Sequence, residues 1–315
     1  GAEINHADST DNVIIGRGAG RGGAGEFTNN IAIGSYALDG TTTNDVDGTV
    51  AIGHYAGSAI TSGAGNLALG YEALKTAATE AQSVAIGYQS MSTTSNGSNN
   101  TMVGYSTGKF LVANNDNNTG IGHNALSGIH GGLSEKNTAI GSGSMVGAIN
   151  GAAHNTALGY NTLAAVTSGD NNIAIGNNAG AAITTTTQNI FIGKNAGVVT
   201  TSHNNVSIGY NSTLNITTGD KNVAIGSFAM STNHDGNSRE SKESVFVGYN
   251  SGGGTWANNQ SHYNTAVGAW TMDSALDGAS NNTAFGYQTL SSLTTGDFNT
   301  AIGKDAGLNI TTGTN

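Results

Sequence analysis

The side chains best suited to chemistry crowd between Gly226 and Gly268, where His234, Asp235, Arg239, Glu240, Lys242, Glu243, Trp256, His262 and Tyr263 occur, with Trp270 just beyond. Both tryptophans of the protein fall in this stretch. Indole faces and a guanidinium can hold sugars, so His234, Asp235, Arg239, Trp256, His262, Tyr263 and Trp270 form a candidate ligand-contact loop. A Trp in such a place can equally cover a core. Glycan cleavage needs two carboxylates flanking a sugar-sized cleft, and only Asp235, Glu240 and Glu243 are dense enough to supply them.

The remaining motifs carry less. Gly18, Gly20 and Gly23 satisfy G-x-G-x-x-G, but no strand-helix-strand unit surrounds them, and 49 glycines produce such matches by chance. His54 and His123 follow glycines as loop residues rather than as a ligand set. Asp170, Asp220 and Asp297 recur after a corner glycine, yet calcium takes six or more oxygens, and turn formation accounts for them better. Sequons at Asn96, Asn211 and Asn259 arise readily in a chain this rich in Asn, Ser and Thr. No catalytic, cofactor-binding or metal-binding residue is assigned, and the protein is expected not to be an enzyme.

What must position these residues is a repeat. Seventeen glycines, from Gly16 to Gly303, recur with a mean spacing of about 18 residues, individual spacings running from 16 to 22. The residue before each is large and apolar. Three places before it stands a β-branched residue in sixteen copies, Leu67 being the exception, and between those two lies Ala in eleven. Asn stands four places before in fourteen copies, with Thr49, Ser83 and Ser244 as substitutes, and three places after comes Ala, Ser or Thr. Asn172, Ile175 and Gly176, Asn222, Ile225 and Gly226, and Asn299, Ile302 and Gly303 are three such sets. Corners at Thr167 to Gly169, Thr217 to Gly219, Thr294 to Gly296 and Thr311 to Gly313 mark a second turn at fixed phase.

A strand of about four residues cannot stand alone and must pair with its equivalents in neighbouring coils. The expected fold is therefore all-β, a parallel β-solenoid of about 17 coils spanning residues 12–315, with residues 1–11 as a leader or connection. The aliphatic and β-branched positions share one strand face. They are expected to point inward, joined by Leu38, Leu74, Leu126, Met145 and Leu290, leaving the Ala-bearing face for self-association. The glycines are expected to supply a bend with positive φ or a close backbone approach. The Asn column is expected to hydrogen-bond along the axis.

Composition agrees with a stacked chain. There is no Pro to interrupt a ladder and no Cys to form disulfides or thiolate sites, and 10% of residues are charged, too few for solvated disorder. A net charge of −10 without a basic stripe argues against nucleic acid. The chain contains no run of eighteen apolar residues that would span a membrane, and GAEINHADST lacks the regions of a signal peptide.

The motif N-T-A-I-G-x-x-A-L-x-x-x-T-T-G-x-N, clearest in Asn299 to Asn315, resembles the degenerate repeats of bacteriophage tail fibres and the head repeats of trimeric autotransporter adhesins. That resemblance covers nearly the whole chain and implies an obligate trimer of parallel β-rolls on a virion or cell surface, used as a stalk or host-contact element. The hexapeptide left-handed helix of acyltransferases fits less well, because Asp39, Ser58 and Lys75 stand six residues after Ile33, Ile52 and Leu69, where it needs aliphatics.

The expected function is a structural fibre or adhesin stalk, extracellular or on a virion, that self-associates as a homotrimer and touches surface glycans. The chain stops mid-pattern after Thr311 to Asn315, which suggests end-to-end stacking or continuation. The first alternative is a monomeric solenoid that binds ice or another ordered surface through Thr, although Thr41 to Thr43 and Thr184 to Thr187 do not recur in phase. The second is a glycan-degrading tailspike-like enzyme.

Overall fold

The structure, a computed structural model, describes residues 11–21, 27–40, 46–94, 97–111, 115–129, 131–214, 218–231, 241–256 and 259–314. Seventeen strands of three residues each run parallel and stack as a β-solenoid with a period of about 18 residues, and no helix occurs among the described residues.

The chain divides into two compact units. The first, Gly1–Leu158 with Val166–Ser168, carries β1 (Val13–Ile15), β2 (Ile31–Ile33), β3 (Val50–Ile52), β4 (Leu67–Leu69), β5 (Val84–Ile86), β6 (Thr101–Val103), β7 (Thr119–Ile121), β8 (Thr138–Ile140) and β9 (Thr156–Leu158). The second, Gly159–Ala165 with Gly169–Asn315, carries β10 (Ile173–Ile175), β11 (Ile190–Ile192), β12 (Val206–Ile208), β13 (Val223–Ile225), β14 (Val245–Val247), β15 (Thr265–Val267), β16 (Thr283–Phe285) and β17 (Thr300–Ile302).

Register follows the sequence repeat. In the first unit Val13, Ile14 and Ile15 pair with Ile31, Ala32 and Ile33, and in the second Val206, Ser207 and Ile208 pair with Val223, Ala224 and Ile225. The Val13 N–H donates to the Asn30 carbonyl at 2.9 Å, and the Gly34 N–H to the Ile15 carbonyl at 2.7 Å. Each strand is too short to pair in any other way without losing one of these bonds.

The Asn column extends the ladder through side chains. Asn30 Oδ1 accepts the Thr49 N–H at 2.8 Å, while Asn30 Nδ2 donates to the Val46 carbonyl at 2.6 Å. The same geometry recurs where Asn172 Oδ1 accepts the Asn189 N–H and where Asn222 Nδ2 reaches the Ser241 carbonyl at 2.9 Å. Asn299 takes its N–H to Asn282 Oδ1 and its Nδ2 to the Gly313 carbonyl at 2.7 Å. Where the amide is replaced, a hydroxyl accepts instead: Thr49 Oγ1 takes the Asn66 N–H, and Ser83 and Ser244 do likewise for Asn100 and Asn264. One small side chain thus satisfies a buried donor of the next coil and, when it is Asn, a corner carbonyl as well.

The repeat glycine meets both requirements read from sequence. Gly176 has φ +129°, and a Cβ built there would lie 2.6 Å from the Gly193 carbonyl oxygen of the following coil. Further left-handed residues bracket the strand: around Gly34 they are Asn29, Tyr36 and Leu38, at φ 59°, 57° and 50°. For Leu38 that conformation costs about 1–2 kcal/mol. It is held because the Tyr36 N–H reaches back to the Arg17 carbonyl and the Leu38 N–H reaches forward to the Ala56 carbonyl, each at 2.9 Å.

The facing expected from sequence is reversed. The middle strand residue, the Ala of Ala32, Ala51, Ala85 and Ala174, is fully buried, while its large neighbours point outward and remain half-buried or exposed. Room decides this. The coil interior already holds the small residue three places after the glycine and the Leu or Met after that, as in Ala37 with Leu38 and Ser144 with Met145. Leu38, Leu74, Leu126, Met145 and Leu290 are buried as expected. A coil this thin has no space for two columns of Ile and Val besides, so the tightly packed Ala faces in, and Ile175, Ile225 and Ile302 face out.

Where the inward Leu or Met is replaced by glycine, another apolar group fills the space. Ile60 lies over Gly57, and the Phe191 ring presses on Gly197.

Gly176→Val should therefore destabilise the protein by at least about 3 kcal/mol, from strained φ and backbone overlap together, whereas Gly48→Ala, at φ +64° with nothing near its would-be Cβ, should cost about 1 kcal/mol. Denaturant titration of both variants checks this. Asn222→Ala leaves the Ser244 N–H and the Ser241 carbonyl without their partner and should cost about 2–3 kcal/mol in the same measurement.

Candidate functional site

The tryptophan-bearing stretch does not assemble a site among the described residues. Trp256 is 4% exposed, packs its ring 5.5 Å from that of Phe246 and donates Nε1–H to the Gly252 carbonyl at 2.9 Å. It fills the core of the second unit and has no free face for a sugar. Trp270 stands edge-on to Tyr249 at 5.2 Å on the outside of the coil. Tyr263 is exposed, with the His262 ring 5.7 Å away. His234, Asp235, Arg239 and Glu240 lie outside the described residues. Glu243, the third candidate carboxylate, pairs with Lys221 at 3.2 Å on the surface.

His262 is part of a corner ladder instead. Six places before the repeat glycine, in several coils, a side chain accepts the backbone N–H of the matching residue in the preceding coil. Asp220 Oδ1 takes the His203 N–H at 2.9 Å, Asp297 Oδ1 the Ser280 N–H at 2.7 Å, and Asp116 Oδ1 the Ser98 N–H at 2.7 Å. Imidazole does the same work twice: His203 Nδ1 accepts from the Thr187 N–H at 3.0 Å, and His262 Nδ1 from the Lys242 N–H at 2.9 Å. An Nδ1 that accepts places the ring proton on Nε2, and in His262 that nitrogen meets Gln260 Oε1 at 2.9 Å. Asp220 and Asp297, expected from sequence to form turns, act here as acceptors between neighbouring coils.

Immediately after the repeat glycine lies a feature that inspection of single motifs passed over. His54, Tyr71, Tyr88, Tyr105 and His123 stack in one column, with successive ring centroids 5.3, 5.1, 5.1 and 5.2 Å apart and planes within 7–13° of parallel. The signal was present as an aromatic at one fixed phase in five successive repeats. The rings cover one another's faces and leave their edges to solvent, an arrangement that staples neighbouring coils and offers no open ring face for a sugar between them. Beside the column, Lys75 and Gln89 hydrogen-bond Glu72, in that order of influence, and hold its carboxyl below its ordinary range. In the second unit the next position carries an amide ladder: Asn161 Nδ2 donates to Asn178 Oδ1, Asn178 to Asn195 and Asn195 to Asn211, at 3.1, 3.4 and 3.1 Å. The Asn211 sequon ends that ladder, Asn259 donates twice to Asp277 Oδ1, and Asn96 lies outside the described residues.

Gly18 and Gly20, at φ +68° and +58°, shape the corner after β1, while Gly23 lies outside the described residues. No group of three or more His, Cys, Asp or Glu able to hold a metal occurs among the described residues, and no described helix is long and apolar enough to cross a membrane.

A further regular surface among the described residues is the outward strand face. Its two columns are the residue before each glycine, such as Ile33, Ile52 and Leu69, and the residue three places before it, such as Ile31, Val50 and Leu67. In β6 to β9 the second column is Thr101, Thr119, Thr138 and Thr156, in phase on successive strands. Of the conspicuous Thr runs in the sequence, Thr184 to Thr187 is not part of this column, and Thr41 to Thr43 lies outside the described residues. Neither column carries a titrating group, so what the face offers is apolar and hydroxyl contact.

The chain matches no protein-family model and no curated protein.

Trp256→Ala should cost about 3–5 kcal/mol of stability, as expected for a core aromatic; retention of full stability would return Trp256 to the surface. His203→Ala strands the Thr187 N–H and should cost about 1–3 kcal/mol, while His203→Asp, which restores an acceptor, should recover most of it in the same thermal or denaturant measurement.

Proposed function

We propose that the chain is a non-catalytic, self-associating structural element, a segment of a fibre or adhesin stalk displayed on a virion or cell surface. The observation that carries this reading is the outward aliphatic face. Strands spaced about 4.8 Å apart, each bearing two outward side chains, give on the order of 500–600 Å² of apolar-rich sheet in the first unit. The largest apolar patch of a typical monomer is itself about 300–600 Å² and is often functional, so a regular face at the top of that range suits a partner surface. Leu69, Ile121, Leu158 and Ile225 are among the exposed members. Copies of the same chain are the natural partner, because a repeating face meets a repeating face without loss of register. The axial ladders support the mechanical part of the reading: backbone, Asn, Asp and ring columns all bond along the direction in which a stalk is pulled.

A second reading rests on the in-phase Thr column beside an aliphatic column, a regular array suited to an ordered surface such as ice. A protein that remains monomeric and produces thermal hysteresis would favour it.

Light scattering should give a particle heavier than the 31.4 kDa chain. Ile33→Glu combined with Ile52→Glu, on the outward face, should return the mass to that of a single chain with the β-sheet circular dichroism retained. A native mass of one chain, or an oligomer indifferent to both changes, would count against self-association through this face. By contrast Ala51→Glu, on the inward position beside Ile52 in β3, should unfold the coil.

A further inference from the structure

The tyrosines of the first unit are all drawn into one aromatic array. Five fall within residues 1–158: Tyr36, Tyr55, Tyr71, Tyr88 and Tyr105. Tyr36 stacks on Tyr55 with ring centroids 5.1 Å apart, and Tyr71 on Tyr88 and Tyr88 on Tyr105 do so at the same spacing. His54 joins the two sets, its ring 4.3 Å from that of Tyr55 and 5.3 Å from that of Tyr71. In the second unit Tyr210 and Tyr249 meet Phe228 and Trp270 edge-on instead. To staple coils by ring contact, Phe would serve as well as Tyr. What the phenols add is an oxidisable group whose edge reaches water, for Tyr71, Tyr88 and Tyr105 are 43%, 43% and 51% exposed. The usual competitors for an oxidant are withheld. The chain has no Cys, its five Met are buried, and both Trp lie in the second unit. An oxidant that meets the first unit therefore finds these phenols as its most readily oxidised surface groups.

We propose that Tyr71, Tyr88 and Tyr105 form a one-electron relay along the stacking direction, fed by an outer-sphere oxidant such as a trivalent metal complex. The relay needs a single folded chain and is independent of self-association. The oxidant takes one electron from Tyr105 and is itself reduced by one electron. The phenolic proton leaves to the water at the exposed ring edge, and a neutral tyrosyl radical remains. An electron from Tyr88 then refills Tyr105, which takes a proton back from water while Tyr88 releases its own. The same exchange moves the radical to Tyr71, and no atom of the chain is consumed. Each step crosses one stacking contact, with planes 7° and 8° from parallel, so the π faces of donor and acceptor are opposed throughout. Charge sets where the relay stops. Arg17 and Lys75 lie 5.9 and 5.5 Å from the ring centres of Tyr36 and Tyr55, and a cation over a ring opposes removal of its electron. The radical is thus held on Tyr71, Tyr88 and Tyr105.

The native chain has no Cys, so one introduced thiol can carry the oxidant to a known place. His123 is exposed and stacks on Tyr105 at 5.2 Å, so a thiol-reactive ruthenium(II) polypyridyl label on His123→Cys stands at one end of the column. A light flash with a cobalt(III) complex as irreversible electron acceptor generates ruthenium(III) at that end. Tyrosyl radicals are captured with a nitroso spin trap and located by peptide mass spectrometry. The relay predicts adducts on Tyr105, Tyr88 and Tyr71, with Tyr55 and Tyr36 largely spared. Tyr88→Phe keeps a ring in the stack but removes the middle phenol. It should eliminate most of the Tyr71 adduct and leave the Tyr105 adduct and the β-sheet circular dichroism unchanged. Should the labelled His123→Cys chain fail to fold, Ser142→Cys carries the label one coil further, with the same order of products expected. Adducts confined to Tyr105, or a Tyr71 adduct indifferent to Tyr88→Phe, would overturn the relay, since the first denies transfer and the second shows direct attack.

Discussion

Within each unit, every coil is bound to the next by contacts between the same position in successive repeats, and a close one that recurs from coil to coil is the approach of the repeat glycine to the carbonyl of the following glycine. With a would-be Cβ at Gly176 only 2.6 Å from the Gly193 oxygen, no side chain fits, and φ near +130° excludes most residues independently. Because that contact fixes the spacing and phase of the chain at the end of each strand, the neighbouring columns fall into line. The strand bonds, the Asn amides, the corner Asp and His acceptors and the stacked rings all connect a residue to its own equivalent one coil away. A single geometric constraint, repeated, thus sets up several independent ladders.

The same constraint explains what the interior contains. A coil closed by several left-handed residues in about eighteen has a narrow lumen, and its filling is correspondingly economical: one Ala from the strand, one small residue after the bend, and one Leu, Met or substitute. Phe191 over Gly197 and Ile60 over Gly57 show that bulk removed at one position is restored from another. The large aliphatics are then surplus to the core and form the outer sheet. A protein that places its smallest apolar residues inside and its larger ones outside is poorly finished as a lone chain, and this asymmetry links the packing to the proposed self-association.

Among the described residues, several loop side chains that could hold a ligand serve the fold instead. Trp256 is drawn into the core because Gly252 and Phe246 leave an apolar pocket beside a carbonyl that its indole N–H can meet. His262 is held by a corner N–H, and Glu243 by Lys221. Those of the described residues that look like a binding constellation when read along the chain are distributed among separate structural tasks once the coil closes.

The sequence by itself determined the architecture: the glycine period, the Asn before each strand and the absence of Pro identify a parallel solenoid, since only in-register stacking gives those residues a common task. It also determined the positions of Leu38, Leu74 and Met145 in the core. Only the tertiary structure decided which way each strand faces. Alternation along a three-residue strand separates Ala from its aliphatic neighbours but does not say which side is inside, because the answer depends on the width of the lumen, and that width is set by left-handed turns at residues such as Tyr36 and Leu38 whose types do not announce positive φ. The ring column from His54 to His123 was likewise legible as a phase but not as a stack, because stacking depends on the distance between coils, which no single repeat contains.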